Sequence, residues 1–172
     1  MRGTSCLRFR MWSENDDMEL FQLVRDTTDV FPYCAKTAGS PMQCREIICR
    51  YLQSPFCWAV VTRDGRLTGM VEFLLPDKEI RLWPVSSFRK QGYFQEVLNA
   101  AANHAFWELD LPLVWTGCAV DDEAAAETLR KCGFVSDHWK RDLYGNVKVL
   151  MVCKKSWTSP LAGGNINESP VI

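Results

Sequence analysis

Between Phe94 and Leu109, the residues Phe94, Val97, Leu98, Ala101, Ala105 and Leu109 recur at three- and four-residue intervals, one apolar stripe along a helix. The segments around it follow a different period. Phe56 to Thr62 and Leu67 to Leu75 are apolar and β-prone, and the Arg63-Asp64-Gly65-Arg66 between them carries the Asp-Gly signal of a hairpin. Pro76-Asp77 turns into a third strand, Glu79-Ile80-Arg81-Leu82-Trp83, and Leu113 to Val120 reads as another beyond the helix. A long helix between two strands is a crossover of the kind that joins parallel neighbours. The chain is therefore expected to build a mixed sheet with helices on its faces.

The remaining elements follow from local signals. Leu7-Arg8-Phe9-Arg10-Met11-Trp12 alternates apolar and basic residues as a half-buried strand does. Ser13 offers an N-cap, Asp16 and Asp17 sit in the first turn, and Leu20, Phe21, Leu23 and Val24 supply an apolar face until Phe31-Pro32 interrupts the helix. Ser40-Pro41 opens a second helix through Ile47, Ile48 and Tyr51 to Leu52. Asp121, Asp122 and Glu123 begin a short helix that passes Leu129 and closes at Lys131-Cys132-Gly133 with a glycine C-cap. Phe134 to Leu143, Tyr144-Gly145-Asn146 and Val147 to Lys154 form a final hairpin. The order is β-α-α-β-β-β-α-β-α-β-β, an α+β (mixed α/β) fold of seven strands and four helices. Residues 1–157 make one domain, and the Ser/Pro/Gly/Asn-rich residues 158–172 a flexible tail.

Composition narrows the function classes. A net charge of −1 gives no bulk attraction to nucleic acid or to an anionic membrane. No apolar run approaches the ~20 residues of a membrane-spanning helix. Met1 to Arg10 has three arginines and no apolar stretch, unlike a signal peptide. The eight cysteines include no CxxC pair, and the two histidines, His104 and His138, lie far apart, so no metal site is expected. Cysteines inside apolar runs, such as Cys57 and Cys153, read as reduced core thiols of a cytoplasmic protein. His104 is assigned to the polar face of the long helix and His138 to the surface.

The chemistry concentrates between Trp83 and Tyr93. There a strand runs through the polar segment Ser86-Ser87-Phe88-Arg89-Lys90-Gln91-Gly92 into the long helix. The first amides of a helix lack intrahelical partners and lie at the positive end of its dipole, which makes such a junction a phosphate site. Arg89 and Lys90 add charge, and Gly92 allows close approach. An ordinary basic loop would look the same, so this leaves both readings open.

Several strings resemble the GNAT acetyltransferase superfamily. Arg89-Lys90-Gln91-Gly92-Tyr93-Phe94 is similar to its R/Q-x-x-G-x-G/A signature. Asp64 to Phe73 resembles its "dGrxiGxxxl" strand, and Glu79 to Trp83 its "EIGYW" strand. Gly92 to Leu98 is similar to "GYATEAL", of the ribosomal-protein and polyamine acetyltransferase branch, and Leu129 to Phe134 resembles the family's "LEKLGF". The resemblance spans residues 7 to 156. It implies a mostly antiparallel sheet and transfer of an acetyl group from acetyl-CoA, or another acyl-CoA, to an amine of a small molecule or peptide. By the same resemblance the backbone of Trp83, Pro84 and Val85 pairs with pantetheine, and Arg89, Lys90, Gln91, Gly92, Tyr93 and Phe94 hold the pyrophosphate. Asp122 falls where relatives use a cofactor-contacting asparagine, and a homodimer is common.

The acceptor amine needs a base, for which Glu79 and Glu72 are the candidates, and Tyr33 and Tyr51 are candidate substrate contacts. Three residues depart from the pattern: Phe94 for glycine or alanine, Asp122 for asparagine and Leu129 for a tyrosine acid. They keep two other readings in view, a degenerate acyl-CoA-binding module and a small α+β interaction protein without a cofactor.

Overall fold

The computed structural model describes Met1 and residues 3–26, 40–84, 92–141 and 147–155. Strand β1 (Leu7–Arg10) precedes a 3-10 turn (Glu14–Asp16), helix α1 (Asp17–Asp26) and helix α2 (Pro41–Leu52). Strands β2 (Cys57–Thr62), β3 (Leu67–Leu74) and β4 (Glu79–Pro84) follow. Helix α3 (Tyr93–Trp107), strand β5 (Leu113–Ala119), helix α4 (Glu123–Lys131), and strands β6 (Val135–Arg141) and β7 (Val147–Lys154) complete the order read from the sequence. Tyr33, Val85, Arg89, Lys90, Gln91 and the 158–172 tail lie outside the described residues.

The seven strands form one sheet, β1-β2-β3-β4-β5-β7-β6. Every neighbouring pair is antiparallel except β4 and β5, which α3 joins as parallel strands. Alternation along the strands makes two cores on opposite faces. Trp58, Val60, Val71, Phe73 and Ile80 face α3 and α4, meeting Leu98, Ala101, Phe106 and Leu129. Cys57, Ala59, Met70 and Trp83 face α1 and α2, meeting Leu20, Cys44, Ile47 and Ile48.

Local chemistry sets the ends. Ser13 closes a capping box, its hydroxyl accepting from the Asn15 amide at 3.3 Å while Asp16 Oδ2 accepts from the Ser13 amide at 2.8 Å. Arg10 locks the buried Asp16 with two bonds of 2.7 and 2.8 Å, and β1 ends there, two residues short of the alternating pattern; Trp12 turns into the α1–α2 core. Ser40 caps α2, with Pro41 first in the helix. At the end of α4 the Gly133 amide donates to Arg130 O at 2.9 Å and the Phe134 amide to Leu129 O at 3.0 Å, with φ +82° at Gly133. That is a Schellman close. Helix α3 stops at Trp107, before the expected Leu111-Pro112 boundary, because Asp110 turns left-handed (φ +52°) and the Leu111 amide folds back to Ala105 O at 2.9 Å.

Candidate active site

The ladder between β4 and β5 is short. Among the described residues the two strands are registered at one position, Glu79 opposite Trp115. On its other side β4 stays paired with β3 from Leu74↔Glu79 to Gly69↔Pro84. Trp115 pins the closed end: its amide donates to Lys78 O at 3.0 Å and its indole Nε1 to Asp77 O at 2.7 Å. Beyond that pin the parallel strands part toward their carboxyl ends. A crevice at the carboxyl ends of parallel strands is where α/β sheets bind ligands.

Two helices begin at that open end. Helix α3 is capped by Gly92, which is exposed and left-handed (φ +77°), and a Cβ built there would meet nothing within 4 Å among the described residues. Glycine is thus required by the backbone, and the space above it is open to a ligand. Tyr93 packs against both cores, which sets its ring at the edge between the two faces, whereas Phe94 packs against the α3–α4 core. Of the six residues 89–94 expected to hold the pyrophosphate, the structure describes Gly92, Tyr93 and Phe94. Helix α4 starts after β5 with Asp122 as N-cap, Oδ1 accepting from the Ala125 amide at 3.0 Å. Leu129 is buried in the core under α4, which gives the place of the absent tyrosine a packing role.

Glu72 and Glu79 come together on the opposite face of the sheet, the one covered by α1 and α2. Cys57, Glu72 and Arg81 are cross-strand partners, as are Ala59, Met70 and Trp83, so all six side chains share that face. Arg81 sits between the two acids. Its Nε lies 3.2 Å from Glu79 Oε1, and Nη2 donates to Glu79 Oε2 at 3.2 Å. Its Nη1 stands 3.8 Å from Glu72 Oε2. Burial pushes the Glu72 carboxyl above the usual carboxylate range, Arg81 draws it back, and Glu79 adds to the rise. Tyr51, on α2 over the same face, rests its ring on Trp12 with centroids 5.2 Å apart.

Sequence reasoning missed Arg81 and Trp115. The signal for Arg81 lay in the hairpin: once the turn over residues 75–78 is counted, pairing Leu74 with Glu79 sets Glu72 opposite Arg81. The expectation for His104 is corrected. It is half-buried, its ring 5.2 Å from that of Trp58 and 5.6 Å from that of Phe73, because α3 turns this position toward β2 and β3 rather than toward water. His138 is exposed on β6, its Nδ1 2.7 Å from Asp137 Oδ2. No group of three or more metal-ligating side chains occurs among the described residues. No helix among them is long and apolar enough to cross a membrane.

The architecture has solved counterparts. A spermidine N-acetyltransferase SpeG chimera from Vibrio cholerae and hSSAT superposes with a TM-score of 0.72 at 17% identity, over 87% of this chain and 96% of that one. A GNAT-family acetyltransferase from Bacillus anthracis gives 0.74 at 15% identity, over 88% and 96%. RimL, a ribosomal L7/L12 alpha-N-protein acetyltransferase solved with coenzyme A, gives 0.73 at 17% identity, over 88% and 95%. No curated protein matches the chain significantly. At these identities the superpositions establish the fold. The family comes from the sequence itself, whose residues 7–135 match the acetyltransferase (GNAT) domain: this chain belongs to the GNAT acetyltransferases, a family of acyltransferases that draw on acetyl-CoA.

Proposed function

We propose that the protein transfers the acetyl group of acetyl-CoA to a primary amine of a small molecule or peptide. The observation that carries this reading is the split of β4 from β5, opening where α3 begins at an exposed, left-handed Gly92. The backbone of Trp83, Pro84 and Val85 would hold the pantetheine arm, and Arg89, Lys90, Gln91, Gly92, Tyr93 and Phe94 the pyrophosphate. Trp83 has its side chain buried, so its contribution there is main-chain. When bound, acetyl-CoA supplies an acyl carbon already activated as a thioester. The protein's own part is to orient the amine, take its proton and stabilise charge at the carbonyl oxygen. Glu72 and Glu79 are the carboxylates within the site, with Tyr33 and Tyr51 as acceptor contacts. SpeG is named for spermidine and RimL for a protein amine terminus, and we take this acceptor to belong to the same broad class of amines.

None of the seven described cysteines forms a disulfide, in keeping with a cytoplasmic protein. Exposed Val135 and Trp139 on β6 and Trp107 on α3 offer apolar surface to a second copy, which supports a homodimer. Residues 1–157 would form the catalytic domain and 158–172 its tail.

Calorimetry with acetyl-CoA, followed by release of free CoA thiol with spermidine, lysine and peptides bearing free N-termini, tests the reading. Binding and thiol release are expected. Gly92→Trp should abolish binding, since an indole would fill the open space and its Cβ would strain the left-handed start of α3, while far-UV circular dichroism shows the rest of the fold retained. Tight binding without turnover on any amine would make the protein an acyl-CoA-binding module instead, and absence of heat with acetyl-CoA would remove both readings.

A further inference from the structure

Glu72 and Glu79 are chemically alike but differently committed. Glu79 accepts a hydrogen bond from Arg81 Nη2 on Oε2 at 3.2 Å, and its Oε1 stands 3.2 Å from Arg81 Nε as an ion pair. Glu72 stands 3.8 Å from the same guanidinium, beyond hydrogen-bond reach, and makes no other ion pair or hydrogen bond among the described residues. A carboxylate hydrogen-bonded to a guanidinium is held by a charge-assisted bond that it must give up to turn toward a substrate ammonium. A desolvated carboxylate with a cation near but not bonded keeps its basicity.

We propose that Glu72 on β3 takes the proton of the acceptor amine, and that Arg81 is a positioning residue which Glu79 holds back from it. This rests on the acetyl-transfer reading above. The acceptor ammonium gives one proton to Glu72, directly or through one water. The freed nitrogen lone pair forms the N–C bond to the acetyl carbon as the C–S bond breaks, the sulfur leaves with a second amine proton, and Glu72 returns its proton to solvent. The third proton stays on the amide product.

The groups bearing on Glu72 come from every side of this face. Strand β4 contributes Arg81 and Glu79, and β2 the buried Cys57 thiol. Helix α2 brings Cys44 and Tyr51 to the same core. Of the α1 carboxylates, Asp17 is engaged with Arg45 at 2.5 Å and Glu19 with the Leu67 amide at 2.6 Å.

Three variants separate Glu72 from Glu79. Glu72→Gln should lower kcat about 100-fold across the pH range with the calorimetric affinity for CoA unchanged. Glu79→Gln should lower kcat less than Glu72→Gln does and move the acid limb of kcat/KM down, because it removes a like charge and lets Arg81 approach Glu72. Arg81→Met should move that limb up, and Arg81→Lys should restore it. Loss of turnover in Glu79→Gln beside an active Glu72→Gln would overturn the proposal. Carbon NMR titration of the glutamate carboxyls reads the same relation without any acceptor. Glu72, assigned through Glu72→Gln, should titrate above the ordinary glutamate range and drop in Glu79→Gln. An ordinary titration, or one unmoved by Glu79→Gln, sinks the proposal even if no acceptor is found. Failure of the acetyl-transfer reading would appear separately, as wild-type protein that binds no CoA.

Discussion

His104 illustrates how one residue on a helix couples to packing and then to pH. Its ring meets Trp58 nearly edge-on, at 82°, and its Nδ1 is buried without a partner among the described residues. Burial is the main reason its pKa lies below 6.5, helped by the charge of the Met1 amine and opposed by Glu108. The folded ring therefore binds a proton less readily than the unfolded one. Above the unfolded value of 6.5 both states are neutral and the fold keeps its full stability. As pH falls below that value the unfolded chain takes up a proton that the folded ring resists, so stability declines until the folded pKa is passed. His104→Phe should preserve the aromatic cluster and flatten the dependence of urea midpoint on pH in that window. An equal slope in wild type and variant would assign the dependence to other groups.

At the scale of elements, the start of α4 sets a helix cap against a ligand site. Asp122 bonds the Ala125 amide, and replacing such a cap by alanine costs roughly 1 kcal/mol. Asp122 also puts a carboxylate at the carboxyl end of β5, and under the proposed binding mode it would repel an approaching diphosphate. Asp122→Asn keeps a capping oxygen while removing the charge. It should leave Tm nearly unchanged and tighten CoA binding at low salt, with the gain fading as ionic strength rises. Asp122→Ala should lower Tm as well. If Asp122→Asn weakened binding, the aspartate would be contacting the cofactor through its charge, as the role carried over from relatives allows. The cap itself was legible, because Asp-Asp-Glu before an apolar run is a start signal that needs no tertiary information. The Glu72–Arg81–Glu79 cluster was half legible. Both acids could be singled out, but the face they share depends on the register of the β3–β4 hairpin, and a shift of one residue would reverse it.

For the whole molecule, the strand and helix order was readable because each period is local, and the crossover followed from a helix between two strands. The order of strands across the sheet was not, since β7 inserts between β5 and β6 through pairings that no local pattern specifies. The width of the split was equally hidden, because it depends on where pairing with β5 stops and not on any side-chain type. That split makes the last prediction. A ligand held at a hundred times its Kd stabilises the fold by about 2.7 kcal/mol, which for a chain of this size raises Tm by roughly 5–10 °C. Saturating CoA should produce such a rise. Hydrogen exchange should slow mainly at the carboxyl half of β4, at β5 and at the first turn of α3, because a ligand in the crevice covers backbone there. Strands β1 and β2, paired with each other and remote from the split, should change little. Protection confined to β1 and β2, or a Tm rise with no slowing at β4, would put the cofactor somewhere other than the split.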